Sequence, residues 1–410
     1  MTDPTGRTFV SYRRERVRAE EIGMIVRALH DYGVPTWRDI TELEAAPTSE
    51  ELRRIIRDPQ TAAALLWLTP EVEGSDTIRK IELPEIMTRY RQRDSFFVQP
   101  ILAGQLDYGQ VTDVAGAHIG LDDLQRWDLK KAQGDPIDVM EAARLARLVL
   151  RRRLKEIHHA LARGAPLKVN LNTREKAPFI PGTALGFDWG ERFDGRMASD
   201  STWNDYLLPA LKTASAEVRA VAIGRHLEAG GLCSLPAAMA LGAAFLAPMG
   251  MEIGWRQRNR SRADQIWSLR AERETAEIEI SSFEDDVSSD DLAVIVTIGH
   301  DVDETIANNR KVLPKFRGYV RVTGSKDGSM DLATAGQAVD AVHRTVAAVN
   351  GARKEWRGIR RVHFFLATPT GYAVMLGQLI NGLGPVYTYE HDPSDAIGVY
   401  HRAAILHPGA

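Results

Sequence analysis

Two separated segments hold the residue types for one kind of chemistry. Phe9-Val10-Ser11-Tyr12-Arg13-Arg14 is an apolar run ending in a hydroxyl, an aromatic ring and two guanidinium groups. Guanidinium forks match phosphate oxygens, so such an ending suits a phosphate-bearing ligand. Further on, Ser75-Asp76-Thr77-Ile78-Arg79-Lys80-Ile81-Glu82-Leu83 sets a carboxylate in a helical pattern. A lone carboxylate can hold a ribose through its hydroxyls and stabilise an oxocarbenium-like transition state as a glycosidic bond breaks. Together the segments point to an enzyme acting on a dinucleotide, without the Gly-x-Gly-x-x-Gly loop usual for dinucleotide binders.

Each of these residues has a plainer reading. Glu82 next to Arg79 and Lys80 also reads as a surface glutamate, and Glu85, one turn on, competes with it; periodicity does not choose. Arg13 and Arg14 also read as salt-bridge partners of Glu15 or Asp39. Pro84 is awkward inside a helix spanning Asp76 to Tyr90, which moves the expected start toward Leu83. The stretch from Trp37 through Asp39, Leu43 and Glu44 to Ala46 is a polar, small-residue loop suited to a lid or a subunit contact.

The elements that must position these residues alternate strand and helix. Strands are predicted at Thr8–Ser11, Pro35–Trp37, Ala62–Leu68 and Phe96–Leu102, and helices at Ala19–Tyr32 and Ser49–Arg57. Near-continuous apolar strands alternating with helices predict a parallel sheet covered on both faces, with ligands at the carboxyl ends of its strands. Asp138–Ala162 is a strong helix that closes this domain or links to the next, with Arg151-Arg152-Arg153 as a solvated face. Residues 164–200 show no clear period.

The second half carries a weak internal repeat. A strand at Val218–Leu227, ending near Arg225 and His226, leads to Ser234-Leu235-Pro236 and a helix of small residues ending Leu241-Gly242. A strand at Val362–Ala367 leads to Thr368-Pro369-Thr370 and a similar helix ending Leu376-Gly377. Further strands follow at Met251–Trp255 and Pro385–Glu390. Two strand–turn–helix units predict two Rossmann-like halves, whose helix starts suit phosphates. Small residues in the helices permit close approach of a ligand or of a facing helix. Tyr387, Tyr389, Tyr400, Trp203 and Trp255 are candidates to stack on bases, each with a place in the core as its plainer reading. His226, His300 and His363 read as core histidines rather than ligands, and no metal is predicted, since their spacing fits no metal site.

Composition narrows the class. The chain has 410 residues, 44% apolar and 26% charged, with net charge −3. That balance gives no single-signed field for DNA, and no apolar run approaches the length of about 18 residues needed to span a membrane. The single cysteine, Cys233, excludes an intrachain disulfide framework; a reducing cytoplasm is the expected compartment.

Residues 7–105 resemble a TIR domain. Phe9–Arg14 looks like that family's first strand, Asp39 with Leu43-Glu44-Ala45 like its BB loop, and Ser75-x-x-Ile78-Arg79-x-x-Glu82-Leu83 like its Ser-x-x-Trp-Cys-x-x-Glu-Leu stretch. Ile78 and Arg79 replace the usual Trp and Cys, and Ala46 replaces a common loop glycine. The resemblance implies a flavodoxin-like α/β fold, with Glu82 as the catalytic residue of an NAD+ glycohydrolase. It implies that Ser11, Tyr12, Arg13, Arg14, Trp37, Asp39, Leu43, Glu44 and Ile78 contact NAD+, which is substrate, so that no cofactor is needed. Residues 165–410 resemble a SAVED domain of two fused CARF-like units, on His363-Phe364-Phe365-Leu366-Ala367-Thr368-Pro369, Ala373, Leu376-Gly377 and the strand to Tyr389. That implies an activating cyclic oligonucleotide, cyclic tri-adenylate favoured, held by Arg225, His226, Ser234, Leu235, Pro236, Trp255, Thr368, Pro369, Thr370 and Tyr389. The fusion resembles TIR–SAVED effectors of bacterial CBASS anti-phage systems: residues 1–135 as TIR, 136–164 as helical linker and 165–410 as sensor. It implies head-to-tail assembly into a homo-oligomer or filament, and a cyclic-nucleotide synthase as functional partner. The rival expectation is a TIR scaffold that hydrolyses nothing.

Overall fold

The computed structural model describes residues 1–14, 18–37, 49–115, 119, 127, 129–174, 178–222, 224–258, 263–298, 306, 309, 312–324, 332–392 and 399–408. The chain divides into two compact units. The first holds Met1–Arg163, Pro178–Asp188 and Ala216–Ala222; the second holds Gly164–Ala177, Trp189–Ser215 and Ile223–Ala410.

In the first unit, strand and helix alternate from β1 (Arg7–Tyr12) through α1 (Ala19–Asp31), β2 (Thr36–Trp37), α2 (Ser49–Arg57) and β3 (Thr61–Leu68). They continue through α3 (Leu83–Tyr90), β4 (Phe97–Leu102), α4 (Val111–Ala115), β5 (Lys130–Lys131) and α5 (Val139–Ala160). The sheet order is β2-β1-β3-β4-β5, parallel throughout. Every residue of β3 and β4 is buried, as expected of strands covered on both faces, whose sequences then lose the two-residue alternation. This is the flavodoxin-like α/β order. It reverses between β1 and β3, so the crevice outside their carboxyl ends is the switch point where ligands of such sheets sit.

Two expectations change here. The helix expected as a linker, α5, belongs to the first unit, capped by Asp138, which accepts from the Glu141 amide. Its Leu145, Val149, Leu150, Leu154 and Ile157 are buried, and so, completely, is Arg153. Arg151 and Arg152 are exposed as expected. Arg153 instead donates to the carbonyls of Thr5, Gly6, Thr183 and Ala184. Its donor fork thereby satisfies four backbone oxygens within the unit. A lysine cannot reproduce that fork. Arg153→Lys is expected to destabilise the protein by about 2–4 kcal/mol, and Arg152→Lys by less than about 0.5 kcal/mol, both read by urea unfolding.

The second unit begins with β6 (Leu167–Asn172). The following short strand β7 (Leu185–Asp188) is assigned to the first unit, and α6 (Leu208–Val221) is a helix up to Val221. Both strands lie in the segment that showed no period, because each is short. The strand predicted at Val218–Leu227 is corrected: Val218 and Ala222 are buried one helical turn apart, and packing overrides the β-branched content. The strand starts only at Leu227, as β8 (Leu227–Leu232). The small-residue helix α7 (Leu235–Ala244), β9 (Ile253–Gln257) and β10 (Gln265–Trp267) complete the first half. Within this unit the strands run β10-β9-β8-β6, with β6, β8 and β9 parallel and β10 antiparallel.

The second half is a sheet of β11 (Glu279–Glu284), β12 (Asp291–Thr297), β13 (Gly318–Thr323), β14 (Arg361–Ala367), β15 (Val386–Asp392) and β16 (Val399–Leu406). Its order is β11-β13-β12-β14-β15-β16. The central strands are parallel and the two edge strands antiparallel. Helices α8 (Ala335–Glu355) and α9 (Thr370–Gln378) belong to it. The two expected Rossmann-like halves are therefore present, each with a strand–turn–small-helix unit.

Candidate functional site

In the first unit, Ser11 near the carboxyl end of β1 donates to Glu82 Oε2 at 2.6 Å, and the pair is buried. Glu82 is 6% exposed and Ser11 4%. The local backbone explains how a carboxylate reaches this place. Residues Ile78–Glu82 form a π-helical turn that runs straight into α3, with the Leu83 amide bonded to the Ile78 carbonyl. Pro84, in the first turn of α3, has no N–H, and in a regular α-helix its ring would meet the carbonyl four residues back; the wider turn avoids this. Such insertions re-aim side chains and are frequent at functional sites. Ser75 begins the helical segment, accepting from the Ile78 amide at 3.4 Å.

Glu85 does something else. Arg57 Nε and Nη2 donate to its two oxygens at 2.8 and 2.6 Å, a fork-to-fork surface pair between α2 and α3. The two carboxylates that the sequence left equivalent thus differ: Glu82 faces the Ser11 hydroxyl inside the fold, and Glu85 is bound to a guanidinium outside it.

The other candidates of this unit divide. Tyr12 is buried beside Ser11 on β1, Arg13 is half-buried and Arg14 exposed. Trp37 and Ile78, expected as NAD contacts, are 3% and 2% exposed in one apolar core cluster. Trp37 stacks on Phe9 with centroids 5.2 Å apart, packing a large ring into that core. Asp39, Leu43 and Glu44 lie outside the described residues.

In the second unit, the two small-residue helices meet each other. A Cβ on Gly242 of α7 would stand 2.1 Å from the Val374 carbonyl oxygen, and one on Gly377 of α9 would stand 2.2 Å from that of Met239. Each glycine faces the carbonyl of the residue three before its counterpart, so the crossing is a pseudo-two-fold contact. Of the two partners the sequence allowed for these helices, a facing helix is the one present.

The turns before them are built differently. Ser234 caps α7, accepting from the Ala237 amide at 3.3 Å, and its own amide donates to Thr173 Oγ1 at 2.8 Å. Leu235 is half-buried and Pro236 buried in the first turn. The start of α9 has no side-chain cap of its own from Pro369; instead Gly371 N donates to Gln257 Oε1 of β9 at 3.0 Å. Thr368 and Thr370 flank this start, half-buried, and Thr368 Oγ1 makes no hydrogen bond among the described residues. Gln257 was not legible as a site residue, since its role depends on an element far away in the chain.

Residues 208–406 match the model of the SAVED family. Its description is "SMODS-associated and fused to various effectors sensor domain". Two solved structures of an Acinetobacter baumannii Cap4 SAVED/CARF-domain containing receptor, one with the cyclic trinucleotide 2'3'3'-cAAA and one with 3'3'3'-cAAA, share the fold. Each has TM-score 0.51 and 14% identity, over 97% of this chain and 100% of that chain. The TIR domains of the activated Roq1 resistosome align over 34% of this chain and 83% of theirs at 19% identity, with a TM-score of 0.22 that is too low to bear on the fold. No curated protein matches the chain.

Within residues 208–406, four expected ligand contacts are engaged inside the fold. Arg225 and His226 precede β8 and so stand at its amino end; Arg225 donates to the Ala165 carbonyl at 2.9 Å, and His226 lies 3.7 Å from Glu228. The misplaced strand had put them at the opposite edge. Trp255 is 3% exposed in the core. Tyr389 bonds His363 Nδ1 at 2.9 Å and stacks on Phe365 at 4.3 Å. His363, stacked on Tyr387 at 4.6 Å, is the core histidine expected; His300 lies outside the described residues. Among the described residues, no group of three or more His, Cys, Asp or Glu side chains could hold a metal ion, and no helix is long and apolar enough to cross a membrane.

Proposed function

We propose that the chain is an NAD+ glycohydrolase switched on by a cyclic oligonucleotide bound to its SAVED region. One observation carries the reading: the buried Ser11–Glu82 pair sits at the switch point of a flavodoxin-like sheet, in the same chain as the SAVED match. The Cap4 receptors of the same fold are described with cyclic trinucleotides, which supports a ligand of that class here, cyclic tri-adenylate first.

The chemistry needs little of the protein. Glu82 engages the nicotinamide ribose and stabilises the positive charge that develops at C1′. The C1′–N bond breaks, its electron pair leaves with neutral nicotinamide, and water adds to C1′ to give ADP-ribose and a proton. Ser11, donating to one carboxylate oxygen, holds the carboxylate in place. No cofactor takes part. Ligand binding favours open, heterologous stacking of subunits, which brings the loop at Asp39, Leu43 and Glu44 of one subunit over Glu82 of the next. The biological setting is CBASS anti-phage defence in the cytoplasm, with NAD depletion as output and a cyclic-nucleotide synthase upstream.

The test is nicotinamide release from NAD+, with and without a panel of cyclic oligonucleotides. Release is expected to rise at least about 100-fold with one of them, a coupling of about 3 kcal/mol between the two sites. Ligand binding with no release at any concentration would leave the non-enzymatic TIR scaffold as the reading.

A further inference from the structure

Arg174 follows β6, and Glu390 lies near the carboxyl end of β15. Arg174 Nη2 stands 3.4 Å from Glu390 Oε1, long for a charge-assisted hydrogen bond. Glu390 is 8% exposed. Their other atoms, Arg174 Nη1 and Glu390 Oε2, are buried and make no hydrogen bond among the described residues; neither does the Tyr400 hydroxyl. The Cys233 thiol and Arg196 lie near Glu390. Burial, opposed by Arg174, pushes the Glu390 carboxyl up to about 7.

Two arginines of this chain are held much more firmly. Arg361 grips Asp291 and Asp290 with two nitrogens, and Arg153 makes four bonds to carbonyls. Buried polar atoms are normally satisfied. An unused donor and an unused acceptor meet where β6 and β15 end. They lie beside Ser234 and the start of α7. A ligand that brings an acceptor to the guanidinium and a donor to the carboxylate would satisfy them together.

We infer that Arg174 and Glu390 read the nucleotide bound by the SAVED region: Arg174 takes a phosphodiester oxygen, and Glu390 accepts from the exocyclic amino group of a base. The inference rests on the nucleotide-sensor reading above. It predicts selectivity for amino-bearing bases. Uracil presents a carbonyl oxygen where adenine and cytosine present an N–H, and a carboxylate facing that oxygen is left unpaired and repelled. Sites built around one such hydrogen bond discriminate strongly against analogues that lack it.

The experiment is calorimetric titration of cyclic oligoadenylates and cyclic oligouridylates of equal ring size into the full chain. The wild type is expected to prefer adenylates by at least about 100-fold. Glu390→Gln, whose amide both donates and accepts, should bring the preference below about 10-fold while binding persists. Arg174→Gln should weaken every cyclic nucleotide by a similar factor and lower the salt dependence by about one charge. Should Glu390→Gln fail to fold, Glu390→Asp carries the same test, since it withdraws the carboxylate by one methylene. If the wild type binds no cyclic nucleotide, the sensor reading itself is overturned. If it binds and Glu390→Gln keeps the full preference, this inference alone is overturned.

Discussion

Glu82→Gln is expected to lower nicotinamide release by about 1,000-fold, the range in which removal of a positioned catalytic carboxylate or electrostatic stabiliser falls. The substitution keeps the side chain's shape, and the Ser11 hydroxyl can still donate to the amide oxygen, so the fold should survive. What is lost is the negative charge facing a developing cation. Glu85→Gln is the discriminating control. That carboxylate already spends both oxygens on Arg57, so its variant should release nicotinamide at close to the wild-type rate. Ser11→Ala should fall between, about tenfold slower, because it removes the donor that orients the carboxylate without removing its charge. All three are measured in the presence of the activating nucleotide, with ligand binding followed separately. Wild-type release from Glu82→Gln would mean that the catalytic group lies elsewhere in the chain.

Gly377→Ala is expected to destabilise the second unit by about 2–3 kcal/mol. Two effects compete. Alanine is the better helix former by about 1 kcal/mol. Against that, its Cβ would be placed 2.2 Å from the Met239 carbonyl oxygen, and a backbone carbonyl inside a helix cannot step aside as a flexible side chain can. Overpacking of this kind costs about 1–3 kcal/mol and sometimes more, so the clash wins. Gly242→Ala should behave alike, against the Val374 carbonyl. The double variant should cost less than the sum, because once the helices separate for one methyl the second fits more easily. Gly351→Ala, on α8 where an added Cβ meets nothing within 4 Å, should instead be neutral or stabilise by up to about 1 kcal/mol. Urea midpoints of the four variants decide the matter. A stable Gly377→Ala that still binds nucleotide would mean that the two helices do not need their close crossing.

Local pattern carried much of the first unit. Strands that run apolar for their whole length, with helices between them, predicted the parallel sheet within a residue or two at β1, β3 and β4, and α2 at its observed ends. The proline at position 84 already announced an irregular helix start. The repeat in the second half was legible because the same need, a helix thin enough to lie against another helix, wrote Leu-Gly twice at matching places. What misled was local composition without context: Arg153 reads as solvent-facing beside two other arginines, and Val218 to Leu227 reads as a strand by residue type.

The sequence by itself determined the α/β class, the two halves of the SAVED region and the short list of carboxylates and hydroxyls near the switch point. Those depend on periodicity and on residue chemistry, which act over a few neighbours. Only the tertiary structure gave Glu82 and Glu85 different partners, sent Trp37, Trp255 and Tyr389 into cores, and brought Arg174 to Glu390. Those outcomes depend on which distant partner, Ser11 for Glu82 or Arg57 for Glu85, the fold places within hydrogen-bond reach.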